Sequence, residues 1–529
     1  MSGIWLLSFC NILLALIARE KVDGGKVFIQ PFSSSSLSRK DAMEKIADIL
    51  ADAGHNVTFL AHTEYKIPET FTTSGVNVLK YNFPKESTFE LTEGDIDSYI
   101  STPILGEMGL IMNRGSSYER VQVNPARSLF GMDMSFFEKM KEAEYDVAIF
   151  DSVDVILGGI MQKFLNRPTI MWSNTGYEFT CVSMHVPLSL STVPSMFTEY
   201  SDSMTFMERF YNVFYHLAMR YYTRSFLEMK FDFLKLYGPK LGLSIAKDED
   251  LCDADLLLAQ SSIAYFYPRP LMPNVIPVLG LKDKKSNPIN SPFKEFIDGA
   301  GEHGFIILSF GSLPKGMDEE KREIFASVFA KLKQRVIWRY GGPTPKSLGP
   351  NTMLVPWIPQ NDMLGHPNVR AFITHCGVSG SAEAVFKAVP VIGIPLFFDQ
   401  RQHCTILTKR HGMGKVLFLN DITVERLTNA LLEVLNNPKY KTNALKAQEL
   451  ARDQPINASY TIQYWVEYVM KHKGADHLKS TGMRQLNFFQ YFLLDILFVV
   501  IGCVTMVILA MYCILRRIFI KTTQKIKLS

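Results

Sequence analysis

Charge of either sign is scarce in this chain of 529 residues: 56 Lys and Arg stand against 52 Asp and Glu, and charged residues make up 20%. The small basic excess is spread along the sequence. Neither a basic patch nor an RNA-type motif is present, which argues against a nucleic-acid partner. Cysteine is also sparse. Cys10, Cys181, Cys252, Cys376, Cys404, Cys503 and Cys513 show no paired spacing, so neither a disulfide framework nor a metal site follows from them. What the chain does have is length, too much for one compact core, which points to two domains with appendages.

Both ends carry addresses. Ile4 to Ala18 is an apolar stretch of signal-peptide length, although no basic residue precedes it, and it reads as a cleaved secretory signal. Ile496 to Leu515 is uncharged and close to the roughly 20 residues that a bilayer-spanning helix needs. Arg516 and Arg517 follow at once, with Lys521, Lys525 and Lys527 beyond, so the positive charge places the tail in the cytosol and the bulk of the chain in the lumen. Lys525 and Lys527 resemble a dilysine endoplasmic-reticulum retrieval signal; a basic tail that meets anionic lipid is the plainer reading, and the two are compatible.

Between the ends, short apolar runs alternate with helical patterns. Val27 to Pro31, Val57 to Leu60, Asp146 to Phe150, Thr169 to Trp172 and Leu256 to Ala259 have the look of buried parallel strands, and Lys40 to Ala53 that of an amphipathic helix. Gly280 to Pro292 is polar and rich in turn formers and reads as a linker. The pattern resumes with Phe305 to Phe310, Val336 to Trp338, Val369 to Ile373 and Val391 to Ile394. The simplest architecture is α/β: two doubly wound parallel-sheet, Rossmann-like domains facing a cleft, followed by one C-terminal transmembrane helix. The aromatic segment Met196 to Tyr237 is open to three readings: an apolar acceptor pocket, a membrane-resting surface, or ordinary helical core.

Most of the chemistry is in one run, Phe372 to Gln400, FITHCGVSGSAEAVFKAVPVIGIPLFFDQ. A strand ending at Thr374, a glycine-bearing turn from His375 to Gly380 and a helix from Ser381 to Ala388 aim backbone N–H groups and a helix dipole at one point, which suits a diphosphate. Gly377 and Gly380 let the backbone come close. His375 offers a donor to phosphate, and Glu383 offers a carboxylate to paired ribose hydroxyls. Asp399 and Gln400 follow the next strand and suit the hydroxyls of a transferred sugar. A lone glycine turn in any βαβ unit is the plain alternative, but the ordered His, Gly, Glu, Pro and Asp-Gln positions go beyond it.

This run resembles the signature of the UDP-glycosyltransferases, and it is most similar to the animal membrane-bound UDP-glucuronosyltransferase type. The likeness continues in Ser309-Phe310-Gly311-Ser312, in Val336-Ile337-Trp338-Arg339, in Val355 to Pro367 (VPWIPQNDMLGHP), in Asp453 to Pro455 and in Met470 to Leu478. It implies a GT-B-like fold, with Trp357 and Gln360 reading the uracil, Ser309 and Arg339 lying near the phosphates, and Ser379 offering a hydroxyl for donor binding. It also implies no resident cofactor, the UDP-sugar being a co-substrate, and a small lipophilic acceptor of the kind conjugated in detoxification. Homo-oligomerisation stays open. The organisation implied is a signal peptide over 1–18, an acceptor-binding domain over 19–285, a UDP-sugar-binding domain with a return helix over 286–490, a transmembrane helix over 491–515 and a cytosolic tail over 516–529. The placement is single-pass in the endoplasmic-reticulum membrane.

Three departures qualify the resemblance. The family's catalytic histidine falls at Arg39, in Ser38-Arg39-Lys40-Asp41, and a guanidinium stays protonated and cannot act as a base. Asp151 matches the partner carboxylate. Either Asp151 acts directly or through water, or the acceptor is an amine or thiol, or activity has been lost and the protein is a UDP-sugar-binding sensor or partner subunit. Next, Ser379 and Ala388 stand where the family has Asn and Gly. Finally, Gln260 stands where relatives carry an arginine for glucuronate, so UDP-glucose competes with UDP-glucuronate as donor, with Arg269 or Arg339 as compensating cations. His55 reads as structural, in a helix-to-strand turn. Of the sequons at Asn56 and Asn457, the first opens a buried strand and is expected to be unmodified.

Overall fold

The computed structural model describes residues 24–32, 37–83, 123–177, 186–187, 189–244, 254–262, 264–281, 283–311 and 317–528. The expected signal segment, Cys10, Cys181, Cys252 and Ser312 lie outside these. The chain divides into two compact units, Met1–Asp476 and His477–Ser529.

The first unit contains two all-parallel sheets. One is seven-stranded: β1 (Lys26–Gln30), β2 (Asn56–His62), β3 (Asn77–Tyr81), β4 (Val147–Asp151), β5 (Thr169–Ser173), β6 (Leu256–Ala259) and β7 (Val275–Pro277), in the order 3-2-1-4-5-6-7. The other is six-stranded: β8 (Phe305–Ser309), β9 (Arg335–Arg339), β10 (Thr352–Val355), β11 (Val369–Thr374), β12 (Val391–Gly393) and β13 (Gly414–Val416), in the order 10-9-8-11-12-13. The helices that bear on the site are α1 (Leu37–Asp52), α2 (Val155–Leu165), α3 (Phe206–Tyr237), α4 (Val378–Phe386), α5 (Gln400–Thr405), α6 (Ala458–His472) and α7 (Leu494–Leu528).

Helices cover both faces of each sheet, so the strands are apolar on both sides. In β8 this is explicit: Phe305 and Ile307 enter one core while Ile306 and Leu308 enter the other. The apolar runs read from sequence match the central strands. The edge strands β3, β10 and β13 and the three-residue β7 were not anticipated, because half-exposed or very short strands carry too weak a pattern. After the second sheet, α6 packs on α1 and β4 of the first. His55 is structural in its geometry, its Nδ1 accepting from the Gly25 N–H at 3.1 Å.

Four expectations change. The helix after β11 begins at Val378 rather than Ser381, with Gly377 at its N-cap, and it ends before Ala388, which takes the left-handed conformation at φ 52°. Cys376 and Cys404 form a disulfide although their separation of 28 residues gave no hint of it. A bridge depends on proximity in space, which spacing along the chain does not encode. Asn56 is exposed, since it is the first residue of β2 and lies outside the buried stretch, and its Oδ1 accepts from Asn77 Nδ2 at 2.9 Å. The aromatic segment divides: Met196, Phe197, Tyr215 and Met219 join a core, whereas Phe206, Phe210 and Phe214, one helical turn apart on α3, are exposed.

In the second unit, α7 holds a candidate membrane span, Leu494–Thr523, of 30 residues, with Asp495 near one end and Arg516, Arg517 and Lys521 near the other. At 1.5 Å per residue this is about 45 Å, more than the ~30 Å of a bilayer core. The helix runs on past the expected end at Leu515 through Arg516 and Arg517.

Asn457 caps α6, its side chain accepting from the Tyr460 N–H at 2.8 Å. Asn457→Ala is expected to destabilise the detergent-solubilised protein by about 1 kcal/mol in thermal unfolding, while Asn457→Asp, which keeps the cap and removes the sequon, is expected to stay near wild type.

Candidate active site

Each sheet changes direction once, between β1 and β4 and between β8 and β11, and at such points the loops leave a crevice beyond the carboxyl ends of the strands. Asp151 is the last residue of β4, Ser309 is the last of β8, and His375 follows β11. Strand topology therefore delivers these three polar groups, far apart in sequence, to the two crevices.

In the second sheet the His375 ring fits between two glycines. A Cβ on Gly311 would lie 2.8 Å from its Cε1 and Nε2, and one on Gly377 would lie 2.5 Å from its Nε2. Gly311 also has φ 81°, where only glycine is at ease. By contrast, a Cβ on Gly380 would meet nothing nearer than 3.5 Å, so space alone does not demand glycine there. Burial pushes the His375 pKa down to about 4; Asp399 and a hydrogen bond to the Ser309 backbone oppose the shift, and Arg339 and His403 add to it. The ring is neutral at physiological pH, with one N–H to give and one lone pair. Its Nδ1 has no partner among the described residues. Beside it, the first turn of α4 has no side-chain cap, and the buried Ser379 Oγ is likewise unmatched. Orphan helix amides, a neutral imidazole and a free hydroxyl together suit an anion's oxygens.

Next to this turn, Gln360 Nε2 donates to Glu383 Oε2 at 2.6 Å. Trp357 is 55% exposed, and the Arg339 guanidinium lies over its ring at 4.4 Å from the centroid. Arg339 also donates through Nε to the Pro356 carbonyl at 3.3 Å, so it is held against the indole while its charge is felt at His375. Ser309, Arg339, Trp357, Gln360, His375, Ser379 and Glu383 thus form one neighbourhood.

Asp399 and Gln400 begin α5. Asp399 Oδ2 lies 3.2 Å from His403 Nε2. Gln400 is buried, and its Oε1 accepts from the Leu396 and Phe397 N–H groups at 2.8 and 3.1 Å, which leaves only its amide nitrogen for a ligand. Asp399 faces a narrow cleft that it shares with Thr175, Tyr267, Arg269, Gln402 and His403. Sequence reasoning missed Thr175, Tyr267, Gln402 and His403, which come from separate segments and carry no motif. A second narrow opening places Gln260 alongside Ser379 and Glu383.

The family described as "UDP-glucoronosyl and UDP-glucosyl transferase" matches residues 25–528. The chain belongs to this family. Human UDP-glucuronosyltransferase 2B7 is 33% identical over 479 residues, covering 88% of each chain, and the Rattus norvegicus UDP-glucuronosyltransferase 2B15 is 31% identical over 557 residues, covering 100% of each. Among solved structures, the calicheamicin glycosyltransferase CalG4 superposes with a TM-score of 0.55 at 16% identity, over 84% of this chain and 98% of its own. The fold is GT-B, and the protein is a UDP-sugar glycosyltransferase.

In this glycosyltransferase the crevice of the first sheet is closed by an ion pair. Arg39 Nη1 donates to Asp151 Oδ1 at 3.0 Å and to Oδ2 at 3.4 Å, and the Val153 N–H donates to Oδ1 at 2.9 Å. The Asp151 side chain is wholly buried and that of Arg39 is 11% exposed. Burial pushes the Asp151 carboxyl up while Arg39 and the Val153 amide pull it down. The guanidinium lies 5.6 Å from the Phe32 ring centroid. A carboxylate tied in this way is engaged with a permanent cation, a poor arrangement for taking a proton from an incoming hydroxyl.

Arg39→Met removes the cation from a buried carboxylate and is expected to cost about 3–5 kcal/mol, read in urea unfolding; an isolated loss below 1 kcal/mol would mean that the pair is solvated. For His375, a folded pKa of about 4 against 6.5 when unfolded means that the unfolded chain binds the extra proton. Stability present above pH 6.5 is therefore lost as the pH falls toward 4, and the melting temperature of the wild type should drop more steeply over that window than that of His375→Gln.

Proposed function

We propose that this protein is a membrane-anchored inverting glucuronosyltransferase that moves glucuronic acid from UDP-glucuronate to small lipophilic amines or thiols. The observation that carries the proposal is the cleft holding Asp399 together with Arg269. Thr175 Oγ1, Tyr267 Oη, Gln402 Oε1 and His403 Nδ1 line it as buried polar atoms without hydrogen-bond partners among the described residues. Buried polar groups in native proteins are otherwise nearly always paired, so such a set fits a ligand rich in hydroxyls. Arg269 supplies the positive charge that a hexuronate carboxylate requires and that Gln260 lacks. In this reading Trp357 and Gln360 take the uracil, Glu383 the ribose, and Ser309, His375, Ser379, Arg339 and the first turn of α4 the diphosphate; Asp399 and Gln400 take the sugar.

The acceptor class follows from Arg39. With Asp151 tied to the guanidinium, an amine or thiol is the suitable nucleophile. Its lone pair forms the bond to the anomeric carbon as the carbon–oxygen bond to UDP breaks, and the surplus proton leaves to water afterwards. UDP departs with the bonding pair, stabilised at the helix start. The apolar α7 supports anchoring in the endoplasmic-reticulum membrane, with the catalytic unit in the lumen and the basic tail in the cytosol. The same closed pair favours a second reading, a relative that binds UDP-sugar and transfers nothing.

Microsomes containing the protein, given radiolabelled UDP-glucuronate or UDP-glucose with amines, thiols and phenols, are expected to form glucuronides of amines or thiols. Arg39→His is expected to raise transfer to phenols about tenfold or more. Arg269→Gln is expected to lower use of UDP-glucuronate about tenfold relative to UDP-glucose. UDP-sugar binding with no conjugate across the whole panel would establish the second reading instead.

A further inference from the structure

A covalent bond joins the two segments on which the donor reading rests. Cys376 lies between His375 and Gly377, Cys404 follows His403, and their Cα atoms are 5.3 Å apart across the bridge. Both residues are buried, at 0% and 1% exposure. Two features of the backbone match the bridge. Cys376 has φ 61°, in the left-handed region that side-chain-bearing residues avoid. At the end of β12, a Cβ on Gly393 would lie 2.4 Å from Cys404 Sγ and 2.7 Å from Cys376 Sγ, so the strand is bare where the bridge passes.

We infer that the Cys376–Cys404 bridge is a positioning device for the donor. It ties the turn that carries His375 to the helix that begins at Asp399 and Gln400, and so sets the separation between the diphosphate end and the sugar end of the site. Neither sulfur touches the donor; the effect passes through His375 and Asp399. A residue held in a sparsely populated backbone conformation persists where its surroundings over-determine it, and here the bridge and the bare Gly393 do so. Binding constellations need their members held within about 0.5 Å, and a displacement near 1 Å costs up to about a hundredfold. The inference rests on the proposed donor roles of His375 and Asp399.

The test uses the full-length protein, purified in detergent without reductant. Alkylation and peptide mass spectrometry, before and after unfolding with a phosphine, show whether the bridge is present. The phosphine supplies two electrons to the sulfur–sulfur bond and becomes its oxide with oxygen from water, and each sulfur takes a proton. Cys376 and Cys404 should be alkylated only after reduction. Calorimetry with UDP on Cys404→Ser and on Cys376→Gly, which suits the left-handed backbone, should show Kd raised about tenfold. KM for the UDP-sugar should rise by a similar factor and KM for the acceptor should not, a split that mere loss of stability does not produce. UDP affinity within twofold of wild type in a folded variant, or two free thiols in the native protein, overturns the inference. Failure of the wild type itself to bind UDP sinks the donor reading and takes the inference with it, whereas equal binding by wild type and variants sinks the inference alone.

Discussion

A buried parallel strand has little room for polar side chains along its length, and this constraint governs the molecule. Both sheets are apolar on each face, so polar side chains are expelled to the carboxyl ends of the strands, where backbone N–H groups and helix starts are already unpaired. The two reversals of strand order decide which ends open onto a crevice. Asp151 at β4, Ser309 at β8 and His375 after β11 lie there for that reason, and every further element of the site is arranged around those ends.

The two crevices serve opposite electrostatic tasks. In the second sheet nothing cationic is built into the turn itself: it presents a neutral imidazole, a serine hydroxyl and the amides of α4, with Arg339 held at one side against Trp357. In the first sheet the charges already cancel, because Arg39 and Asp151 satisfy one another, the carboxylate wholly buried and the guanidinium nearly so. Such a pair is costly to break and gains little from an incoming hydroxyl. Polar groups at the crevice of the second sheet are thus left unsatisfied among the described residues, and those at the crevice of the first satisfy one another. That asymmetry separates this chain from a family pattern built around a histidine base.

The neighbourhood of His375 is also held by contacts that its glycines alone do not provide. Gly311 and Gly377 clear space for the His375 ring, Gly393 clears space for two sulfurs, and Gln400 holds the chain ahead of α5 by accepting from Leu396 and Phe397. The same short run therefore combines a turn shaped by missing side chains with a short helix, α5, tied to that turn by a covalent bond near its far end.

Much was legible in the residues themselves. Fully buried strands announced themselves as apolar runs because both faces must be dry, and the C-terminal span because a bilayer requires an unbroken apolar helix. The order of His375, Glu383, Asp399 and Gln400 carried the family, and Arg39 stood out as a departure in the sequence itself. What stayed hidden depended on proximity between distant segments. The Cys376–Cys404 bond, the meeting of Thr175 and Tyr267 with Asp399 and His403 in one cleft, and the locking of Asp151 by Arg39 across 112 positions all arise when loops from different strands converge. Local sequence sets which residues are apolar, turn-forming or charged, since those are properties of single side chains and their neighbours; only tertiary folding sets distances between segments, and reactivity is a function of distance.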